Sequence, residues 1–325
     1  MKPRIAVLGS SNTDMVIRLE HLPRPGETLL GGSFSLSAGG KGANQAVAAA
    51  RAGGEVTLIA KVGTDIFGDQ AIAGFKQEGI LTHAIRRDPR NPSGVALIFV
   101  DQAGQNCIAV AGGANSRLNP TDVRRARSAI AEADALVMQL ETPLPTVIAA
   151  AQLAARAHTP VILNPAPATE LPRELLNLVS ILTPNEREAE SLTGIRVHDV
   201  PSASRAGLAL LKRGVTTTII TLGQLGAVIV HNQTSTHVPA FHVRAVDTVA
   251  AGDVFNGALA VALGQGNDLL QAVRFANAAA SISVTRPGAQ ASAPRAREIE
   301  KTLKRAGHER CKIHPPQKRS PLRAT

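Results

Sequence analysis

Residues 135–163, ALVMQLETPLPTVIAAAQLAARAHTPVIL, contain the pattern that decides the fold. A short apolar run at 135–140 is followed by an alanine-rich, helix-forming segment at 145–157 and by a second apolar run at 161–163. Short apolar runs of this kind are typical of buried strands. A strand, a helix and a strand in succession indicate a right-handed crossover between parallel strands, in a sheet that helices cover on both faces.

The same alternation extends in both directions along the chain. We predict strands at 5–9, 56–60, 217–222 and 227–230, and helices at 43–52, 67–78, 121–133, 186–192, 202–212 and from 253 to about 284 with a break at 264–267. Two segments, about 13–38 and 93–115, are instead rich in strand and turn residues, which predicts a small inserted β-sheet. The sequence therefore predicts an α/β protein with a mostly parallel, doubly wound sheet, whose ligands bind beyond the carboxyl ends of its strands.

Composition and charge exclude several classes of protein. The chain has 325 residues, 44% of them hydrophobic, with no Trp or Tyr and a net charge of +10. Few aromatic residues argue against base stacking, so we do not expect nucleic acid as a partner. No apolar run is long enough for a signal peptide or a membrane span, and two cysteines, Cys107 and Cys311, make no disulfide framework. We expect a cytoplasmic protein without a membrane partner.

The positive charge is concentrated at the carboxyl end of the chain. From Arg295 onward there are ten Lys and Arg residues against three Glu, whereas the rest of the chain is nearly balanced. A basic tail suits contact with nucleic acid or acidic partners, or a solvated, poorly ordered end, and we favour the second interpretation.

The strongest local motif is DTVAAGDVFNGA at 247–258. Small residues directly before a helix expose backbone N–H groups, which together with the helix dipole form an anion site. Gly252 permits close approach of a phosphate, and Asp253 beside it suits the acceptance of a proton from an attacking hydroxyl. An ordinary helix cap by Asp253 explains this segment equally well.

Three further motifs carry polar groups at predicted loops. The segment SAGGKGANQA at 37–46 lacks the Walker and dinucleotide patterns but offers glycines, Lys41 and Asn44 for polyol recognition. The segment TPNERE at 183–188 places Asn185 and Glu188 on one helical turn, where they suit Mg²⁺ through water or a capping box. The glycines of ITLGQLG at 220–226 suit either a nucleotide contact or a tight turn between strands.

Together and in this order, these motifs resemble the ribokinase-like carbohydrate kinase family from about residue 3 to about residue 300. The signatures at 39–46 and 247–258 carry the resemblance, supported by 94–100, QLE at 139–141, NPAP at 164–167 and TPNE at 183–186. The resemblance implies a three-layer α/β/α body with a β-sheet lid, one kinase domain over residues 1–307 with the lid at about 13–38 and 93–115, and a basic, disordered tail at 308–325. It implies ATP-dependent phosphorylation of the 5-hydroxyl of D-ribose, Mg²⁺ with ATP, K⁺ as an activator, and a homodimer formed through the lid.

The resemblance also implies a role for individual residues. Asp253 is implied as the general base, with an anion hole at Ala250, Ala251 and Gly252. Sugar contacts are implied for Asp14, Gly40, Lys41, Asn44, Glu141 and Asp253. Contacts with ATP or its Mg²⁺ are implied for Asn185, Glu188, Thr221, Gly223, Gly226, Gly252 and Asn277. A K⁺ site is implied at Asp247, Val249, Ser283, Arg286, Gly288 and Ser292, largely through backbone carbonyls.

The sequence differs from the family pattern at two places, and three functions are weighed for it. Ala250 stands where many members of the family have glycine, which makes the anion loop stiffer, and residues beyond about 307 have no counterpart. Phosphorylation of ribose is the leading expectation. A deoxyribose, other pentose or nucleoside acceptor is the first alternative, and a sugar- or nucleic-acid-binding regulator without catalysis is the second.

Overall fold

The computed structural model describes residues 1–313 and is built from strands and helices that alternate along most of the chain. The strands, in chain order, are β1 (Arg4–Leu8), β2 (Asn12–Arg18), β3 (Ser33–Gly39), β4 (Glu55–Ile59), β5 (Lys61–Gly63), β6 (Arg86–Asp88), β7 (Gly94–Val100), β8 (Asn106–Ala111), β9 (Ala135–Met138), β10 (Val161–Leu163), β11 (Ile181–Leu182), β12 (Thr217–Thr221), β13 (Ala227–His231) and β14 (Thr234–Val238). The helices are α1 (Lys41–Arg51), α2 (Ile66–Gln77), α3 (Pro120–Arg125), α4 (Arg127–Ala131), α5 (Leu144–Arg156), α6 (Arg173–Leu176), α7 (Glu186–Thr193), α8 (Val200–Lys212), α9 (Ala251–Gly264), α10 (Leu269–Ser283) and α11 (Ala296–Ile313).

The main sheet has eight strands in the order β14-β13-β12-β11-β10-β9-β1-β4. All neighbours from β12 to β4 are parallel, whereas β13 and β14 are added antiparallel at one edge. The carboxyl ends of β1, β9, β10, β11 and β12 therefore meet at one edge of the sheet, where α/β proteins bind their ligands.

Alternation along each strand divides the core between two helical layers. On β1, Ile5 and Val7 pack with α1, α9 and α10, whereas Ala6 and Leu8 pack with α3 and α5 on the opposite face. Successive side chains of a strand point to opposite faces, so one apolar run supplies both cores. The predicted three-layer, doubly wound architecture is confirmed.

A second sheet of four strands, which we call the lid sheet, has the order β3-β2-β7-β8. Its strand β2 begins four residues after β1 ends, so the lid sheet grows directly out of the edge where strand ends converge. Paired residues share a face, so Asp14 lies on the same face as Ala96 and Val110. The inserted sheet predicted from the sequence is therefore present.

Several segments differ from the predicted elements, and β5, β6, β14 and α6 had no predicted counterpart. The helix predicted at 121–133 is two short helices, because the chain leaves helical geometry at Ala126. Helix α11 continues to Ile313, past the position 307 at which we ended the kinase domain, and the remainder of the predicted tail lies outside the described residues. Within residues 1–313, no helix combines the length and the apolar character that a bilayer crossing requires.

Candidate active site

Asp253 lies in the first turn of α9 and is buried, with 6% of its surface exposed. Its carboxylate does not cap the helix: Oδ2 accepts a hydrogen bond from Asn44 Nδ2 and Oδ1 accepts one from Gln45 Nε2, both at 2.9 Å. Both donors belong to α1, so the two sequence signatures meet at this carboxylate. Burial raises the pKa of Asp253, while Lys41 and the two amide donors oppose that rise.

Asn44 has one polar atom that the described residues leave without a partner. Its Nδ2 donates to Asp253, whereas its Oδ1 is buried and has no hydrogen-bond partner among residues 1–313. A buried amide oxygen without a donor is costly, and a ligand hydroxyl would satisfy it. This atom fits the sugar contact predicted for Asn44.

Glu141 and Asp14 add two carboxylates near Asp253. Glu141 Oε2 accepts hydrogen bonds from Ser10 Oγ at 2.5 Å and from the backbone N–H of Lys41 at 3.0 Å. Burial, reinforced by the negative charges of Glu141 and Asp253, raises the pKa of Asp14 to about 6. Carboxylates that crowd in this way are destabilising to one another unless hydroxyl or cationic groups arrive between them.

Gly39 and Gly40 allow the Asp14 carboxylate and the backbone at Asn12 to approach the start of α1 closely. A Cβ on Gly39 would lie 2.2 Å from Asp14 Oδ2, and a Cβ on Gly40 would lie 2.8 Å from the backbone nitrogen of Asn12. Gly40 also has a φ of 88°, in the region that side chains rarely adopt. The glycine pair thus allows β2, β3 and the start of α1 to converge. Asn44 contacts Asp253, and the charges of Asp14, Lys41 and Glu141 act on it.

The start of α9 has the properties of an anion site. Ala250, the residue before the helix, has a left-handed φ of 58°, and Ala251 N–H makes only a long contact of 3.3 Å with Thr248 O. The N–H groups of Gly252 and Asp253 have no protein acceptor within residues 1–313. Exposed N–H groups at the positive end of a helix attract phosphate oxygens.

A cavity of about 300 Å³ lies next to this helix start. Ala251 and Gly252 line it, so the anion site opens directly into it. Five of the predicted nucleotide contacts line the cavity: Thr221, Gly223, Gly226, Gly252 and Asn277. Phe255 and Ala280 give it apolar walls that suit a flat heterocycle.

Asn185 and Glu188 do not line that cavity. They form a capping box at the start of α7: Asn185 Oδ1 accepts from Glu188 N–H at 2.9 Å, and Glu188 Oε2 accepts from Asn185 N–H at 2.9 Å. Burial raises the pKa of Glu188, with Asn185 and Lys41 opposing it. The capping interpretation is therefore correct, and Asn185 also bridges to Thr221, a residue of the cavity wall.

The segment at 223–226 forms the tight turn between strands that was one of its two predicted roles, and its contact with a nucleotide stays a prediction. Gly223 and Gly226 have φ of 50° and 94° and turn the chain from β12 into antiparallel β13. The same glycines line the cavity.

The residues predicted to bind K⁺ lie just before α9, at the carboxyl end of α10 and in the segment between α10 and α11. Asp247 Oδ1 accepts from Val249 N–H at 2.9 Å, and Asp247 Oδ2 accepts from Gly288 N–H at 2.8 Å. Ser283 and Ser292 direct their hydroxyls to nearby carbonyls, and Arg286 pairs with Glu298. Within the described residues, no group of three or more His, Cys, Asp or Glu side chains is arranged to hold a metal.

Four buried side chains at the site were not assigned roles from the sequence, although they lie in the quoted motifs: Gln45, Gln139, Asn164 and Asn256. Gln45 and Gln139 are fully buried amides that bond to each other, and Asn256 bonds to Gly252 O and Thr183 Oγ1. A Gln at the fifth residue of a helix otherwise rich in Ala is the signal that marks Gln45 for attention.

The chain is similar in sequence to carbohydrate kinases along nearly its whole length. The model of the pfkB family of carbohydrate kinases matches residues 2–296. The chain belongs to the pfkB family. The curated ribokinase of Haemophilus influenzae is 45% identical over 306 residues, which cover 94% of this chain and 100% of that protein.

Similar proteins also include a curated deoxyribokinase and a solved ribokinase structure. The deoxyribokinase of Salmonella typhi is 39% identical over 300 residues, covering 92% of this chain and 98% of that protein. The solved structure of Arabidopsis thaliana ribokinase with ribose and ATP superposes with a TM-score of 0.87 at 32% identity and covers 94% of this chain and 99% of that one. The family resemblance inferred from the sequence motifs is confirmed.

Proposed function

We propose that this protein transfers the γ-phosphoryl group of ATP to the 5-hydroxyl of D-ribose, giving ribose 5-phosphate. The observation that carries the proposal is the contact between Asn44 and Asp253, in which the amide predicted to bind sugar touches the carboxylate predicted to act as base. Gly252, the residue before that base, lines the nucleotide cavity. An acceptor hydroxyl at Asp253 would therefore lie next to the end of a phosphate chain.

The sugar is expected to bind between the lid sheet and α1. The oxygens of Asp14, Glu141 and Asn44 would accept hydrogen bonds from its hydroxyls, and Lys41 with the backbone at Gly40 would donate to its oxygens. A sugar has many hydroxyls and no charge, so a cluster of acceptors with one adjacent cation suits it. Hydroxyl donors also relieve the repulsion between the carboxylates.

Asp253 would take the proton of the 5-hydroxyl as the hydroxyl attacks the terminal phosphorus. A base whose pKa is raised by burial lies closer to neutral pH, which strengthens its pull on the proton while it remains ionised. The N–H groups of Gly252 and Asp253 would bind the oxygens of the transferring group, whose charge rises as the bond to ADP breaks.

Mg²⁺ and K⁺ are proposed as companions of ATP in this reaction. Mg²⁺ would sit on the phosphates, held through water by Glu188, and would neutralise their charge. The carboxylate chemistry of Glu188 fits this hard cation. Asp247, which ties the loops at Val249 and Gly288 together, would help to hold K⁺ among backbone carbonyls, with Ser283, Arg286 and Ser292 on the adjoining segments. Higher activity in K⁺ than in Na⁺ at equal ionic strength tests this assignment.

A homodimer through the lid sheet is also proposed. Each face of this sheet exposes large apolar side chains, Leu36 and Leu97 on one face and Ile108 and Val110 on the face shared with Asp14. Exposed apolar area on a sheet this small indicates contact with another protein surface. Sedimentation of the protein at micromolar concentration tests the dimer. The cytoplasmic location stays a prediction.

An ATP-consumption screen over pentoses, hexoses and nucleosides tests the reaction. We expect ribose to give the highest kcat/KM, with phosphate found on the 5-oxygen of the product. Absence of ATP consumption with every sugar would refute the proposal.

Deoxyribose is the second candidate acceptor, because the Salmonella typhi deoxyribokinase is nearly as similar to this chain as the ribokinases are. The two sugars differ by one hydroxyl, whose loss leaves one site group without a partner. The ratio of kcat/KM for ribose to that for deoxyribose decides between them.

A further inference from the structure

Gln45 holds Asp253 at one end of a chain of buried amides that crosses the strand ends. Gln45 Nε2 donates to Asp253 Oδ1 at 2.9 Å and to Asn164 Oδ1 at 3.2 Å, while Gln45 Oε1 accepts from Gln139 Nε2 at 2.6 Å. Gln45 and Gln139 are both fully buried. Gln139 follows β9 and Asn164 follows β10, so two strands of the main sheet anchor this amide.

This chain of buried amides begins at Asp253 on α9 and ends on α9 again. Asn164 Nδ2 donates to Thr183 O at 3.2 Å, Thr183 Oγ1 donates to Asn256 Oδ1 at 2.6 Å, and Asn256 Nδ2 donates to Gly252 O at 2.8 Å. The base and the neighbouring residue of the anion site are thus fixed to one rigid set of strand ends. Gln139 Oε1 is buried without a partner within residues 1–313, but the other amide groups of this network hold one another in one arrangement.

The orientation of the Gln45 side-chain amide is fixed by its neighbours. A carboxylate only accepts hydrogen bonds, so the NH₂ group of Gln45 must face Asp253 and its oxygen must face the NH₂ group of Gln139. Turning the Gln45 amide over would set oxygen against carboxylate and NH₂ against NH₂. Gln45 therefore always presents an N–H to the ionised form of Asp253.

We propose that Gln45 is a positioning residue for phosphoryl transfer, which orients the Asp253 carboxylate and keeps it ionised for proton abstraction. The inference rests on the proposed function, because it needs Asp253 as the base. One oxygen of Asp253 is occupied by Gln45, which leaves the oxygen shared with Asn44 directed toward the sugar. The raised pKa of the buried carboxyl is consistent with a site in which each donor to the charged form matters.

Other charges also act on Asp253 and must stay constant in a test. Lys41 on α1 faces it, as do Glu141 after β9, Asp14 on β2 and Glu188 on α7. A substitution of Gln45 by Met removes the N–H with little change in volume and touches none of these groups. Gln139→Met is the matched control, since it disrupts the same buried chain but leaves the N–H of Gln45 on Asp253.

The test compares the pH dependence of kcat/KM for ribose in the parent, Gln45→Met and Gln139→Met proteins. Loss of a donor to the charged form raises the pKa of Asp253, so the acidic limb of the Gln45→Met profile should move up by about one pH unit, the size expected for one hydrogen bond to a charged group. We expect kcat to fall at least ~10-fold, as for a misplaced base, with KM for ATP unchanged. Gln139→Met should lose thermal stability and keep the parental pH profile.

A parental pH profile in Gln45→Met, or the same shift in both variants, would overturn the proposal. If Gln45→Met does not fold, Gln45→Glu supplies the second variant, because it keeps the size of the side chain and an acceptor for Gln139. The added carboxyl beside Asp253 should move the acidic limb further than one unit, and an unchanged limb would again overturn the proposal. A parent that phosphorylates no sugar would remove the proposed function itself, whereas an active parent with these contrary profiles removes only the role of Gln45.

Discussion

Asp253→Asn tests the centre of the proposed mechanism, and its consequences can be derived from the two hydrogen bonds that the carboxylate accepts. The new amide must keep its oxygen toward Gln45, because Gln139 prevents the Gln45 amide from turning over. Its NH₂ group therefore faces Asn44. Asn44 can turn over to accept from it, since Asn44 Oδ1 has no other partner in the described residues.

The cost in stability is consequently small. Two hydrogen bonds to a buried charge, each worth about 1.5–3 kcal/mol, become neutral bonds worth about 0.5–1.5 kcal/mol, while the penalty of burying the charge disappears. We expect the free energy of unfolding to stay within about 2 kcal/mol of the parent, because these changes oppose each other. The turned-over Asn44 offers NH₂ in place of oxygen to the sugar, so KM for ribose should also rise.

The effect on turnover should be much larger than the effect on stability. An amide cannot accept the proton of the 5-hydroxyl, so kcat should fall at least ~10². Initial rates of ADP release at saturating ATP and ribose measure kcat, and thermal melting checks the fold. Asp268→Asn, at the exposed start of α10, is the matched control, because Asn caps a helix as well as Asp does. A folded Asp253→Asn protein with kcat within a few-fold of the parent would refute the assignment of the base.

Three further predictions concern the anion loop, the sugar site and the nucleotide cavity. Ala250→Gly should raise the free energy of unfolding by about 0.5 kcal/mol, since relief of the left-handed φ exceeds the added flexibility of the unfolded chain, and a lower urea midpoint would contradict this. In the folded protein the pKa of Asp14 is raised from 3.8 to about 6. Ionisation of Asp14 therefore lowers the stability of the sugar-free protein as the pH rises from about 3.8 to above 6. Asp14→Asn should therefore melt no lower than the parent at pH 8 yet bind ribose more weakly, and equal ribose affinity in titration calorimetry would argue against a sugar contact. Ala280→Phe should fill the nucleotide cavity and raise KM for ATP at least ~10-fold while ribose binding is kept, which initial rates and calorimetry distinguish.

The sequence by itself determined the architecture and the order of the motifs. Apolar runs at β1, β9 and β10 separated by amphipathic helices specify a parallel sheet, because that pattern buries only in a doubly covered arrangement. A glycine cluster marked the loop at 39–42, and a run of small residues ending in Gly252 marked the loop at 250–252, because local backbone geometry depends on nearby residues.

Only the tertiary structure decided which polar groups touch. The sequence left Asp253 open between a helix cap and a base, and the contacts from Asn44 and Gln45, more than 200 positions away, exclude the cap. It left Asn185 and Glu188 open in the same way, and there the capping box is real. The chain of amides through Gln139 and Asn164 was not predicted from the sequence. Hydrogen bonds between strand ends depend on which strands are neighbours in the sheet, and a local sequence pattern does not specify that order.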